Sequence, residues 1–79
     1  MYPKIIKVRP LDNYILHLIY DNSEEKYFDI KPFLKTGRFA ELQNQSLFRK
    51  VNVSFDTVEW PNGIDLDPET LYNHSKNIS

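Results

Sequence analysis

The residues best suited to chemistry lie near the carboxyl end of the chain, where Asp65, Asp67 and Glu69 occupy alternate positions. In an extended segment alternate side chains point the same way, and carboxylates suit Mg²⁺ or Ca²⁺. The segment lacks the central glycine and final glutamate of an EF-hand loop. Asp67 also precedes Pro68 and Glu69, a pattern typical of a helix that starts with Asp67 as its N-cap. We therefore favour a capping role and predict no metal site.

The chain has few residues suited to nucleophilic catalysis. There is no cysteine, which excludes thiolate catalysis, disulfides and thiolate metal sites. His17 falls within a predicted strand and His74 near the carboxyl end, while the serines fall at predicted turns, caps and the chain end. A catalytic triad needs a serine held rigidly against an oriented histidine. We predict a non-enzymatic protein with no catalytic residue and no cofactor.

The charge distribution argues against nucleic acid as a partner for this domain alone. Residues 1–40 carry a charge of +2 and residues 41–79 a charge of −3. Lys4, Lys7 and Arg9, with Lys26 on a neighbouring strand, are predicted to form only a modest basic patch. No helix-turn-helix signature or glycine-rich phosphate loop accompanies it. The polarity suits steering of a protein partner or a second copy of the chain.

The most distinctive segment runs from the only tryptophan through a Pro-Asn-Gly turn. Its structural interpretation is a rigid turn in which Trp60 closes one end of the core. Its functional interpretation is a rim that binds a partner or ligand, because tryptophan is favoured at interface hot spots. The predicted rim residues are Trp60, Pro61, Asn62, Gly63 and Asp65. Both interpretations are compatible if the buried indole leaves one edge accessible, and the core interpretation comes first.

Length and composition indicate a folded globule. A chain of 79 residues makes one domain, and 41% hydrophobic with 27% charged residues is ordinary for a folded protein. No apolar run approaches the ~20 residues of a membrane span, and no signal-peptide segment opens the chain. We therefore predict a cytoplasmic location and no membrane contact.

Hydrophobic periodicity predicts a three-stranded antiparallel meander over the first thirty residues. A strand at Lys4–Arg9 is expected to direct Ile6 inward and to end at Pro10. Tyr14–Tyr20, apolar on both faces, is predicted to be central and covered on both sides. A hairpin turn, with Asn22 at positive φ, leads to a third strand at Glu25–Ile30.

Residues 31–51 are predicted to form two short helical segments across one face of this sheet, with Asn44 or Ser46 as an N-cap. Val53–Trp60 is predicted to be one further strand. A short C-terminal helix follows, and residues 73–79 are predicted to be a loose tail. The fold class is therefore α+β: a small antiparallel sheet that starts as a β-meander, with short helices on one face and a short C-terminal helix.

The run from Trp60 to Tyr72 resembles the C-terminal signature of a bacterial family, domain-of-unknown-function family 2442 (DUF2442). The other features that agree, in order, are Val8–Leu11, Tyr14–Tyr20, Tyr27–Ile30, Pro32–Leu34, Phe39, Leu42, Phe48 and Val51. Residues 1–79 thus look like a single domain of this family. One departure concerns the hairpin Asp21-Asn22-Ser23, where many relatives have Asp-Gly, and it affects only the turn type.

What the resemblance implies is a compact α+β fold with a short antiparallel sheet, since the family has no established activity. Some longer relatives carry a helix-turn-helix domain after this one, and members are often encoded beside another small protein. That arrangement is similar to toxin–antitoxin pairs. It implies a protein-interaction or regulatory module, an antitoxin-like partner of a small co-encoded protein, by analogy with context rather than from a site.

Two further alternatives follow from the residues. The edge strand Lys4–Arg9 could pair with another chain and support self-association, unless its charges protect it. A small-ligand-binding regulatory domain is the alternative function, with its pocket between the sheet and residues 31–51 or beside Trp60.

Overall fold

The structure, a computed structural model, describes residues 2–77. Its strands are β1 (Ile5–Leu11), β2 (Ile15–Tyr20), β3 (Glu25–Asp29), β4 (Asn52–Ser54), β5 (Thr57–Glu59) and β6 (Lys76–Asn77). Its α-helices are α1 (Gln45–Phe48) and α2 (Pro68–His74), and 3-10 segments cover Asp12–Tyr14, Lys31–Phe33 and Gly37–Gln43. One antiparallel sheet has the order β1-β2-β3-β6, and β4 and β5 form a second, two-stranded sheet. The predicted α+β class and the opening meander are confirmed.

Strand β2 is the middle strand of the meander, as its apolar sequence predicted. Leu16, Leu18 and Tyr20 are buried on one face, where they meet the core. Ile15 and Ile19 on the other face are only half-buried. The expectation that this strand is covered on both sides is therefore wrong, because the helical segments pack on the core face.

Strand β1 departs from simple alternation at a β-bulge. Ile5 pairs with Tyr20 and Lys7 with Ile19, so Ile6 is an extra residue in the register. The bulge turns Ile5 inward and leaves Ile6 61% exposed, so the prediction that Ile6 faces the core is wrong. Pro10 does not end the strand either, since it remains in register opposite Leu16. An edge strand tolerates proline, whose missing N–H has no ladder partner to lose.

Two turns also differ from the sequence expectation. In the β2–β3 hairpin Ser23, not Asn22, adopts positive φ, at 73°. The Asn22 side chain instead accepts a hydrogen bond from the Glu24 amide at 3.0 Å. The predicted single strand Val53–Trp60 is wrong, because the chain reverses between β4 and β5 at a turn in which Phe55 has a φ of 53°.

The helical layer covers residues 31–48 and packs on the core face of the sheet. Its buried side chains are Leu34, Leu42 and Phe48, followed by Val51. Asn44 caps α1, and its side chain accepts hydrogen bonds from the amides of Ser46 and Leu47 at 2.9 and 3.3 Å. Of the two predicted caps, Asn44 is therefore the correct one. Within residues 2–77 no helix is long and apolar enough to cross a membrane.

The C-terminal segment is ordered into the fold through its described residues. Asp67 caps α2 as predicted, accepting a hydrogen bond from the Thr70 amide at 3.2 Å. After α2, Ser75 is buried and β6 pairs with β3, with Lys76 opposite Tyr27. The prediction of a loose tail is wrong for residues 73–77, because β3 offers an open edge for the chain to pair with. Residues 78–79 lie outside the described residues.

Candidate functional site

Trp60 lies in the core. It is 1% exposed, its ring stacks with that of Phe48 at a centroid distance of 6.4 Å, and its Nε1 donates a hydrogen bond to the Phe48 oxygen at 2.9 Å. The indole nitrogen is thus satisfied inside the protein. Trp60 offers no accessible edge for a partner, so its inclusion in the predicted rim is wrong.

The loop after Trp60 is held by hydrogen bonds to the 3-10 segment Gly37–Gln43. Asn62 donates from Nδ2 to Glu41 Oε1 at 2.9 Å, and its main-chain oxygen accepts from Arg38 at 2.6 Å. Its Oδ1 also accepts from the Ile64 amide at 3.1 Å. The exposed members of the predicted rim are Pro61, Gly63 and Asp65. Their role in binding stays a prediction, while Asn62 has a structural role.

The histidines and the acidic group have structural partners. His17 Nε2 lies 2.9 Å from Glu25 Oε1 across the β2–β3 pair, and His74 Nδ1 lies 3.1 Å from the Thr70 oxygen. Residues 2–77 contain no group of three or more histidine, aspartate or glutamate side chains placed to hold a metal. Asp67 is the N-cap of α2.

Lys26 is buried rather than part of a basic patch, which corrects the prediction for this residue. Its side chain lies on the core face with Phe28, and its Nζ is 4.1 Å from the centre of the Tyr72 ring and 4.0 Å from Glu24 Oε2. Tyr72 donates a hydrogen bond to Glu24 Oε1 at 2.7 Å. These contacts attach α2 to the β2–β3 hairpin.

The same cluster perturbs three acid–base groups. Burial raises the pKa of Tyr20 to about 12, and the Tyr20 hydroxyl makes no hydrogen bond with the described residues. The hydrogen bond from Tyr72 lowers the pKa of Glu24, and the same bond raises the pKa of Tyr72. The pattern accounts for how α2 is attached, and nothing in it requires a catalytic role.

A cleft of about 390 Å³ lies between the segment Asp12–Tyr14 and α1, and we call it the turn cleft. It is lined by Leu11, Asp12, Asn13, Tyr14, Gln45, Phe48 and Arg49. At its mouth Arg49 Nη2 and Asp12 Oδ1 are 2.9 Å apart, with side chains 50% and 91% exposed. Tyr14 is partly exposed in its wall, and the Tyr14 ring meets the buried Phe48 ring edge to face at 5.2 Å. The turn cleft therefore presents one cation, one anion and a mainly polar lining in which Leu11 and Tyr14 are the partly exposed apolar side chains.

The backbone of the turn cleft is strained. Asn13 (φ 62°, ψ 30°) and Tyr14 (φ 59°) are consecutive left-handed residues, which is rare for a bulky aromatic side chain. Several hydrogen bonds hold this conformation. The Tyr14 oxygen accepts from the Ile30 amide at 3.1 Å, the Asn13 oxygen accepts from Lys31 Nζ at 2.8 Å, and the Tyr14 hydroxyl donates to the Gln43 oxygen. Strain that the surroundings hold in this way is concentrated at functional sites.

The turn between β4 and β5 exposes a large apolar side chain, and we call it the hairpin tip, residues 54–57. Phe55 is 97% exposed and left-handed, with a φ of 53°. Val53 on β4 and Ile6 on β1 are also exposed, and β4 lies against β1. A left-handed turn position normally belongs to glycine, asparagine or aspartate.

Sequence reasoning predicted a pocket between the sheet and residues 31–51 but named none of the residues that line the turn cleft, and it missed the hairpin tip. Asp12 and Asn13 are residue types that favour turns, yet nothing local marks Tyr14 as left-handed, since that conformation depends on contacts with residues far along the chain. Phe55 lay within an apparent strand, although Ser54 and Asp56 on either side of it are residue types that favour turns.

Comparison with known proteins places the chain in a family. Residues 5–77 match the family model described as "protein of unknown function (DUF2442)". No curated protein and no solved structure matches the chain. The family match covers nearly the whole length and includes every strand and helix described above, so the chain belongs to the DUF2442 family.

Proposed function

We propose that this chain is a non-enzymatic protein-interaction or regulatory module, an antitoxin-like partner of a small co-encoded protein in the cytoplasm. The observation that supports the proposal most is the state of Phe55. Its ring is almost fully exposed to water, and its backbone is in a region that a side chain of this size disfavours. Neither feature stabilises the free protein, whereas burial of the ring in a partner would contribute about 1.5–3 kcal/mol.

The surroundings of Phe55 indicate the kind of partner. Val53 on β4 and Ile6 on the adjacent β1 are further exposed apolar side chains, and Asp56, next to Phe55 in the chain, is exposed and acidic. The half of the chain that contains the hairpin tip is also the acidic half. A partner that fits is a small protein with an apolar socket for Phe55 and basic side chains around it.

The features of the β1 edge argue against a partner that pairs with this strand, and so favour the hairpin tip as the contact surface. The bulge at Ile6 interrupts the register, and Lys7, Arg9 and Pro10 follow it on the same edge. Bulges, charges and proline are the devices by which proteins keep edge strands from pairing with other chains. We therefore assign the contact to the hairpin tip.

The test starts with affinity capture of the tagged chain from its native cells and identification of any small protein that is bound stoichiometrically. That protein is then purified, and its affinity is measured by calorimetry for wild type, Phe55→Asn and the matched control Tyr27→Asn. Tyr27 is an exposed aromatic residue on β3, away from the hairpin tip. We expect Phe55→Asn to weaken binding by at least about tenfold and the control to leave it unchanged.

Sedimentation of the purified chain separates a foreign partner from a second copy. Self-association that Phe55→Asn removes would make the partner another copy of this chain. A chain that is captured alone and sediments as a monomer contradicts the proposal, and so does a partner that binds Phe55→Asn as tightly as wild type.

A further inference from the structure

We infer that the turn cleft binds a small zwitterion of the α-amino acid class. The ligand carboxylate would bind the Arg49 guanidinium and its ammonium the Asp12 carboxylate, while its apolar part would lie against the partly exposed side chains of Leu11 and Tyr14. This inference concerns a different surface from the hairpin tip and does not depend on the proposed protein partner.

The paired charges at the mouth of the cleft select the charge type of the ligand. Arg49 and Asp12 are 2.9 Å apart and both are accessible to solvent. A simple anion would meet repulsion from Asp12, and a simple cation would meet repulsion from Arg49. A molecule that carries both charges on neighbouring atoms can satisfy both side chains together. Because an exposed ion pair contributes little to stability, its two groups can turn to a ligand at little cost to the fold.

The remaining lining residues fit the rest of such a molecule. Leu11 and Tyr14, both partly exposed, supply a small apolar surface, and Asn13 and Gln45 supply amide groups. A volume of about 390 Å³ is at the lower end of small-molecule sites and suits a molecule of amino acid size.

The strained turn makes the site rigid before any ligand arrives. Asn13 and Tyr14 are held left-handed by hydrogen bonds from Ile30 and Lys31 and by the bond from the Tyr14 hydroxyl to Gln43. Asp12 and Tyr14 therefore keep their positions relative to α1, which carries Phe48 and is followed by Arg49. A rigid site loses less conformational entropy on binding.

The test is titration of the uniformly ¹⁵N-labelled chain, followed by amide resonances. The probes are L-phenylalanine, N-acetyl-L-phenylalanine, which lacks the ammonium group, and L-phenylalanine amide, which lacks the carboxylate. We expect saturable shifts with L-phenylalanine at Asp12, Asn13, Tyr14 and Arg49, and at least about tenfold weaker binding of the other two probes.

Variants then assign the two charges. Asp12→Asn and Arg49→Gln should each weaken L-phenylalanine binding by about tenfold or more. The control Arg9→Gln makes the matched change at an exposed position of β1 and should leave the affinity unchanged. Thermal unfolding checks that each variant is folded. Phe55→Asn should leave amino acid binding intact, so failure here is distinct from failure of the protein-partner proposal.

Three results would overturn the inference. The first is the absence of saturable shifts with L-phenylalanine in the wild type. The second is equal affinity for N-acetyl-L-phenylalanine, which would show a plain anion site. The third is binding that both cleft variants retain in full.

Discussion

The indole Nε1 of Trp60 donates a hydrogen bond to the main-chain oxygen of Phe48, 2.9 Å away and within the core. This bond links the end of β5 to α1, whose residues Gln45 and Phe48 are among those around the turn cleft. Trp60, which belongs to the most distinctive sequence segment, therefore holds α1 in place from within the core.

Replacement of Trp60 should affect stability before anything else. We expect Trp60→Phe to lower the free energy of unfolding by about 1–3 kcal/mol, because the Phe48 oxygen loses its donor. Trp60→Ala should cost about 3–5 kcal/mol, because it also leaves a cavity. Urea unfolding measures both. A Trp60→Ala protein that is nearly as stable as wild type but no longer binds its partner would restore the rim interpretation.

Tyr20 should make the protein sensitive to alkali. Its folded pKa of about 12 lies above the ordinary value of 10, so its contribution is complete below pH 10 and is lost as the pH rises through the folded pKa. As the pH rises through this range, the free energy of unfolding of the wild type should fall by roughly 2–3 kcal/mol more than that of Tyr20→Phe. At neutral pH the variant should match wild type or exceed it by about 1 kcal/mol, since a buried hydroxyl without a partner is removed.

Unfolding of both proteins by urea at neutral pH and across pH 10–12 tests this expectation. Tyr27→Phe serves as the control, because the Tyr27 side chain is exposed. Equal alkaline losses in wild type and Tyr20→Phe would show that the buried phenol is not responsible.

The hydrogen bond between Tyr72 and Glu24 should make the stability of the fold depend on pH in the acidic range. The folded pKa of Glu24 lies below its ordinary value of 4.5, so its contribution is present above that value and is lost as the pH falls through the folded pKa. We expect Tyr72→Phe to be less stable than wild type at neutral pH, and the difference to shrink in acid. Thermal unfolding as a function of pH measures it. A difference that does not change with pH would assign the effect to packing of the ring.

Asp67 and Asp65 form a matched pair that distinguishes a cap from a metal site. Asp67→Ala should lower the free energy of unfolding by about 1 kcal/mol, because the Thr70 amide loses its acceptor. Asp65→Ala, at an exposed position, should change it by less than about 0.5 kcal/mol. Denaturant unfolding is repeated with Mg²⁺ and with Ca²⁺. If either ion stabilised the wild type and both variants lost that effect, the capping interpretation would be wrong.

Much of the fold could be predicted because local pattern and tertiary packing agree in it. Leu16, Leu18 and Phe28 alternate as the sheet requires, and Asn44 and Asp67 are caps in the positions that their residue types favour. Periodicity failed at Ile6, because the bulge lets Ile5 and Val8 both face the core, which simple alternation does not allow, and it leaves no signal in residue type.

The candidate sites were harder to predict than the elements that carry them. The left-handed Tyr14 depends on Ile30, Lys31 and Gln43, which lie at some distance along the chain. Phe55 occupies a turn position that residue preferences assign to other amino acids, so local rules indicated a strand instead. Both departures coincide with the surfaces to which we assign function, where local preference and final structure are expected to disagree.

The pairing of β6 with β3 has a consequence for how the chain folds. Strands β1, β2 and β3 are joined by short turns. In contrast, the hydrogen bond from Tyr72 to Glu24 joins residues 48 positions apart, and β6 begins soon after the end of α2, the helix that contains Tyr72. Closing so long a loop costs more chain entropy than closing a hairpin, and contacts of this kind form slowly. We therefore expect the meander to assemble first and the C-terminal strand to dock last, so that β3 passes through a stage in which its outer edge is open to other chains.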